Sequence, residues 1–252
     1  MSTIINSRIL EPVNPGNNVQ ISNILKGEIE GVHLELISGK GPFQKNVPAS
    51  KGFYDVLLSL NGKCVLKTQS QNYEMGTRYI AKLPFNTMYE LEVDEGDVCS
   101  CLLIRKQLDE KDIIEIAKEP DSHNSIYFKA FSDCIAYTEK IKSPKTINRM
   151  ILPERLVPRF CMGTVETTGP DEVGAHKHPM LEQLFLGLPE CDCIVYADDA
   201  SITLTENMII HIPLGSNHSV KVKEGKKLSY IWLDFFKTIE GQNYISEEHK
   251  TE

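Results

Sequence analysis

The chain has 252 residues, 41% hydrophobic and 25% charged, an ordinary balance for a soluble globular protein long enough for two compact domains. Its formal net charge of −8 and pI near 5.5 argue against a nucleic-acid backbone or an anionic membrane surface as partner. No apolar run approaches the roughly 20 residues a membrane span needs, and the start MSTIINSRILEP lacks the basic and apolar regions of a secretory signal. A cytoplasmic protein with its seven cysteines reduced is therefore expected.

In chain order, the first elements are FYDVLLSLNGKCVLK, RYIAKLPFNTMYELEV and CSCLLIRK. These segments are short, rich in β-branched and aromatic residues, and punctuated by Asn61-Gly62 and Glu95-Gly96, which is the pattern of antiparallel strands. Residues 108–118 follow with one apolar stripe, Ile113, Ile114, Ile116 and Ala117, and predict a helix. A second helix is expected near Ser132–Ile141. Strand pattern then resumes through QLFLGL, CDCIVYA, NMIIHIPL, HSVKV and LSYIWLDFF, and the tail EGQNYISEEHKTE is polar. The pairs Cys99/Cys101 and Cys191/Cys193 share a strand face, but their apolar surroundings read as core.

The two runs of strands repeat one another. At an offset of 129 residues Ile80 falls on Ile209, Pro84 on Pro213, Val93 on Val222, Gly96 on Gly225 and Ser100 on Ser229. With a two-residue difference in the intervening hairpin, Asp55 falls on Glu182. The expectation is an all-β protein of two tandem units: residues 1–106, a partly helical connector over 107–148, and residues 149–252.

The second unit carries the chemistry. His176 and His178 stand at i and i+2, on one strand face, and Glu182 keeps that face if the strand continues. Downstream, IPLGSNH ends a strand, turns at Gly215 and presents His218. Three imidazoles and a carboxylate suit one divalent transition metal (Mn, Fe, Ni, Co or Zn) with one or two coordination positions open.

These residues resemble the two motifs of the cupin superfamily. GPDEVGAHKHPMLEQLFLG is similar to the first, with His176, His178 and Glu182, and ENMIIHIPLGSNHSV to the second, with Pro213, Gly215 and His218. The resemblance implies two double-stranded β-helix (jelly-roll-like) barrels, a bicupin, and covers most of residues 30–105 and 155–236. Two departures touch the barrel mouth: Pro189 replaces the glycine usually found seven residues after the glutamate, and Val222 the asparagine four residues after the last histidine.

In the first half the equivalent positions hold Ala49, Lys51, Asp55 and Tyr89. That barrel is expected to hold no metal and to act as scaffold, with a metal-free pocket of Lys51, Asp55 and Tyr89 as the lesser alternative. Around the metal, the candidate interior residues are Met162, Thr164, Gln183, His211, Tyr230, Trp232 and Asp234, with His211, Tyr230 and Asp234 as candidates for acid, base or substrate contact. Lys177 should point to solvent.

The expected function is a metal-dependent enzyme acting on a small polar metabolite that chelates through oxygen. Isomerisation is slightly favoured over dioxygenase or lyase chemistry, because uronate-type sugar isomerases of this superfamily use a similar ligand set. The alternative is a non-catalytic cupin that binds or senses a small molecule through its metal. A homodimer is expected, with neither nucleic acid nor membrane as partner.

Overall fold

A computed structural model describes residues 3–11, 19–178 and 180–248. The chain divides into two compact units, residues 11–133 and residues 1–10 with 134–252. No separate connector forms: its first part belongs with the first barrel and its last part with the second.

Each unit is a pair of antiparallel sheets enclosing an apolar core. In the first unit, the four-stranded sheet runs Phe43–Val47, Tyr89–Val93, Cys64–Lys67, Asn72–Met75 in spatial order. In the second it runs Asp171–His176, His218–Val222, Asp192–Ala197, Ala200–Thr205, the same order displaced by 128 to 130 residues. The larger sheets match as well. Tyr79–Lys82, Phe53–Gly62, Val98–Gln107 and Val32–Lys40 lie in the order of Met208–Ile212, Leu181–Gly187, Lys227–Phe236 and Phe160–Thr168. The repeat in the sequence is thus a repeat of topology.

Backbone approach is repeated too. A Cβ on Gly41 would lie 1.9 Å from the Asp94 carbonyl oxygen, and one on Gly169 would lie 2.0 Å from that of Lys223. Only glycine permits this contact in the link between Val32–Lys40 and Phe43–Val47 in the first barrel, and between Phe160–Thr168 and Asp171–His176 in the second.

Alternation sets the faces. In Tyr89–Val93 the residues Tyr89, Leu91 and Val93 are buried while Glu90 and Glu92 are half-exposed, a period of two that points one set into the barrel. Both barrels also cover one edge of the larger sheet with an added strand. Tyr127–Ala130 pairs with Tyr79–Lys82 in the first, and Ser7–Ile9 pairs with Met208–Ile210 in the second.

The helix expected at 108–118 is present as Glu110–Lys118, started by a reciprocal capping box between Asp109 and Asp112. The second expected helix is absent. Residues Phe131–Asp133 make a single 3₁₀ turn and Ile135–Tyr137 is a strand, with Ile135 opposite Met150 and Tyr137 opposite Asn148. Pairing to Ile147–Val157 outweighs the local helical pattern. A C-terminal helix, Ile239–Glu248, was not anticipated. All seven cysteines are buried free thiols. No described helix is long and apolar enough to cross a membrane.

Candidate metal centre

The site is built on the ladder between Asp171–His176 and His218–Val222, in which His176 and His218 are Cα partners. A bulge between Val173 and His176 precedes the pair. His178 follows in the turn leading to Leu181–Gly187. The three rings converge, with centroids 4.3 Å apart for His176–His218, 4.8 Å for His176–His178 and 5.6 Å for His178–His218. One ligand atom from each lies within 4.8 Å of the others.

Two backbone carbonyls fix how the rings present themselves. The His176 Nδ1–H donates to Gly174 O at 2.8 Å, and the His218 Nδ1–H donates to Ser216 O at 3.1 Å. A carbonyl can only accept, so in each neutral ring Nδ1 bears the proton and Nε2 carries the lone pair. Burial, aided by neighbouring His176, pushes His218 down to about 4, so it is neutral at pH 7. Its Nε2 is buried with no hydrogen-bond partner among the described residues. A buried imidazole nitrogen left for a further partner beside two other histidines fits a metal ligand, and the donor set fits a divalent transition ion.

Glu182 does not join the histidines, and this corrects the sequence reading. Its carboxylate accepts from His211 Nε2 at 3.0 Å and is ion-paired with Lys237. Burial raises its pKa, but hydrogen bonds from His211 and Lys237 outweigh that and hold it below the usual carboxylate range. The neighbour Gln183 lines the cavity instead, together with Phe185. The motif is therefore read one residue later, with Gln183 in the place of the carboxylate. Seven residues beyond it stands Glu190, whose φ of 65° is the left-handed conformation a glycine would favour.

Gln183 and Asp234 are Cα partners in the ladder, and Gln183 Nε2 donates to Asp234 Oδ1 at 2.8 Å. Because the amide nitrogen is committed to a carboxylate, the oxygen is the remaining atom. Gln183 Oε1 is buried without a partner among the described residues.

The histidines open into a cavity of about 230 Å³. Tyr230, Trp232 and Asp234 line it from the last strand, as alternation on that strand suggested. Tyr230 packs against Phe185 with ring centroids 4.8 Å apart, and burial pushes its phenol far up, leaving it neutral. Trp232 Nε1 donates to Tyr137 Oη at 3.2 Å. Cys161, not Met162 or Thr164, faces the cavity from the neighbouring strand. His211 is a second correction: it sits outside the cavity, paired with Glu182. Lys177 is exposed. Sequence reasoning missed the segment at Tyr137–Lys142, which closes one side with Tyr137, Glu139, Ile141 and Lys142.

The first barrel is filled where the second is open. Val47 faces Tyr89 as His176 faces His218, so Val47, not Ala49, occupies the matching position. Tyr89 is buried in the core, and its hydroxyl donates to Asp55 Oδ2 at 3.1 Å, while Arg105 Nε donates to Asp55 Oδ1 at 3.0 Å. The cleft beside Asp55 measures only about 10 Å³, and Lys51 is exposed apart from it. Three core thiols, Cys64, Cys99 and Cys101, also converge in this barrel.

Solved structures share this architecture. An IolB-like protein from Salmonella typhimurium LT2 matches with a TM-score of 0.69 at 15% identity over 94% of each chain. A cupin 2 conserved barrel domain protein from Leptotrichia buccalis matches with a TM-score of 0.61 at 13% identity over 91% of this chain and 98% of that one. The fold is that of the cupins. An oxalate decarboxylase from Lactobacillus farciminis, in a formate complex, is a further cupin match, with a TM-score of 0.66 at 10% identity over 94% of this chain and 87% of the other. No family model matches the sequence, and no curated protein does. At these identities the likeness concerns the cupin fold.

Proposed function

We propose that this protein is a metal-dependent enzyme whose second barrel binds one divalent transition metal and acts there on a small molecule that chelates through oxygen. The observation that carries this reading is the convergence of three histidines, with a buried Nε2 on His218 that has no partner among the described residues, in the lining of one cavity. His176, His178 and His218 would hold the ion, with Gln183 Oε1 as a neutral fourth donor. A divalent ion held there would act as a Lewis acid on substrate oxygen atoms. Three or four neutral donors leave its double charge uncompensated, which favours a substrate that brings negative charge or strong oxygen donors.

The chain's own residues suit that chemistry. Phe185, Tyr230, Trp232 and Phe236 make an apolar wall that excludes water from a bound carbon skeleton. Asp234, hydrogen-bonded to Gln183 in the cavity lining, is a carboxylate placed to hold or move a proton, with Tyr230 as a neutral hydroxyl. Proton-transfer isomerisation uses these parts directly, and decarboxylation or dioxygen-dependent cleavage of an oxygen chelator is the nearest competitor. A non-catalytic binding role is favoured by one observation: His211, the expected extra base, is outside the cavity, whose described lining holds no histidine beyond the three.

Metal-loaded protein screened against uronates, keto acids and aromatic diols tests the choice. Turnover of one class that disappears in His218→Ala supports the enzyme. Ligand binding without turnover at full metal occupancy transfers the assignment to the binding role.

A further inference from the structure

The side of the cavity formed by residues 137–142 holds a buried ion pair that metal binding does not explain. Lys142 Nζ lies 2.9 Å from Glu139 Oε2, and the two side chains are only 5% and 15% exposed. The turn that carries them is pinned from both directions. Lys142 N donates to Glu139 O at 3.2 Å, Gly174 N donates to Ile141 O at 2.8 Å, and Lys142 bridges Val173. Val173 and Gly174 belong to the strand that ends in His176, so the ammonium and the histidines are referenced to one backbone.

A buried ion pair seldom adds stability over apolar side chains of the same volume, because desolvation offsets the Coulomb gain. Its value is then sought in what it presents to the cavity. An ammonium has three donors, and among the described residues Glu139 is the only acceptor Lys142 reaches. Its remaining contact is with the Tyr137 ring, 5.4 Å from the centroid. Donors are left over in a space that both Lys142 and the histidines line.

We propose that Lys142, held by Glu139, is the second anchoring point of the cavity and donates to an uncharged oxygen, hydroxyl or carbonyl, of a ligand whose other end lies at the histidines. This rests on the metal-site reading above. The oxygen is uncharged because Glu139, Glu154 and Asp234 line the same cavity as the single ammonium. A ligand carboxylate beside Lys142 would meet these acids as well, and their repulsion would cancel the attraction. The substrate class is therefore a two-ended oxygenated molecule: a chelating end, a short carbon skeleton and a neutral oxygen function beyond it.

The test uses three probes with the same α-keto-acid end on Co(II)-loaded protein, read by visible absorption: 2-oxobutyrate, 4-hydroxy-2-oxobutyrate and 2-oxoglutarate. The hydroxy probe should bind about fivefold tighter than 2-oxobutyrate, the effect of one net hydrogen bond, and tighter than 2-oxoglutarate. In Glu139→Gln/Lys142→Met, which removes the pair without stranding a charge, that preference should vanish while Co(II) affinity is unchanged. Equal binding of the first two probes by wild-type protein, a preference that survives in the double variant, or 2-oxoglutarate as the tightest ligand would overturn the inference. If the double variant does not fold, Glu139→Gln alone decides. It removes one of the acids beside Lys142, so 2-oxoglutarate should gain on the hydroxy probe, and an unchanged ranking counts against Lys142. Absence of Co(II) binding by wild-type protein would instead defeat the metal-site reading on which the inference stands.

Discussion

His176 and His218 face one another across an antiparallel ladder as Cα partners, with ring centroids 4.3 Å apart and each Nδ1 anchored to the carbonyl two residues before it. The backbone therefore prearranges the two lone pairs before any ion arrives. Loss of either ring should cost far more metal affinity than loss of a polar group elsewhere in the barrel.

The two candidate carboxylate positions can be separated directly. Glu182→Gln should leave divalent-metal affinity within about threefold, because Glu182 is engaged by His211 and Lys237 outside the cavity. It should instead lower stability by about 1–3 kcal/mol, as a charged partner is withdrawn from a half-buried cluster. Gln183→Glu with Asp234→Asn, which keeps the hydrogen bond between the two positions without a second carboxylate, should raise metal affinity by supplying a charged donor. Calorimetric metal titration and urea denaturation check both variants.

Acid should destabilise the metal-free protein. The folded-state pKa of His218, about 4, lies below the ordinary value of 6.5, so between those values the unfolded chain binds the extra proton. The His218 contribution is fully present above pH 6.5 and is lost as pH falls toward 4. The full effect is on the order of 3 kcal/mol. Urea midpoints of chelator-treated protein at pH 7 and pH 5 should differ, and the difference should shrink in His218→Gln.

Gly163 makes room for the only tryptophan. A Cβ there would lie 2.4 Å from Trp232 Cζ2 and 2.8 Å from the Arg149 carbonyl oxygen. Gly163→Ala should displace the indole toward the cavity, break its bond to Tyr137, and cost about 1–3 kcal/mol through overpacking. The emission of the single tryptophan should shift, and ligand affinity should fall with metal affinity retained.

The histidines were legible because His-x-His and the Pro-x-Gly-x-x-His turn fix side-chain direction locally. The carboxylate position was not. Lys177, His178 and Met180 lie outside the strands, so the two-residue alternation that places His176 and His178 together does not carry across to Leu181–Gly187. A slip of one residue exchanges Glu182 for Gln183, and a one-residue slip in the opposite direction separates Met162 from Cys161 on Phe160–Thr168. Tyr137, Glu139 and Lys142 were hidden for a different reason. Ile135–Tyr137 is a strand of three residues that exists only through its pairing with Ile147–Val157, and its local pattern imitates a helix. A close pairing of Glu139 and Lys142 beside Tyr137, in a segment read as connector, was the available signal. The repeat was legible because strand order, turn and proline spacing all recur together.

Three histidines of the second barrel are proposed to form a metal centre. Metal content after loading and exhaustive desalting tests it most directly, compared among wild type, His176→Ala, His178→Ala, His218→Ala and Glu182→Gln. About one ion per chain is expected in wild type and in Glu182→Gln, and affinity reduced by at least about 100-fold in each histidine variant, since one lost ligand removes several kcal/mol of coordination. Full occupancy in the histidine variants, or loss in Glu182→Gln alone, would contradict it.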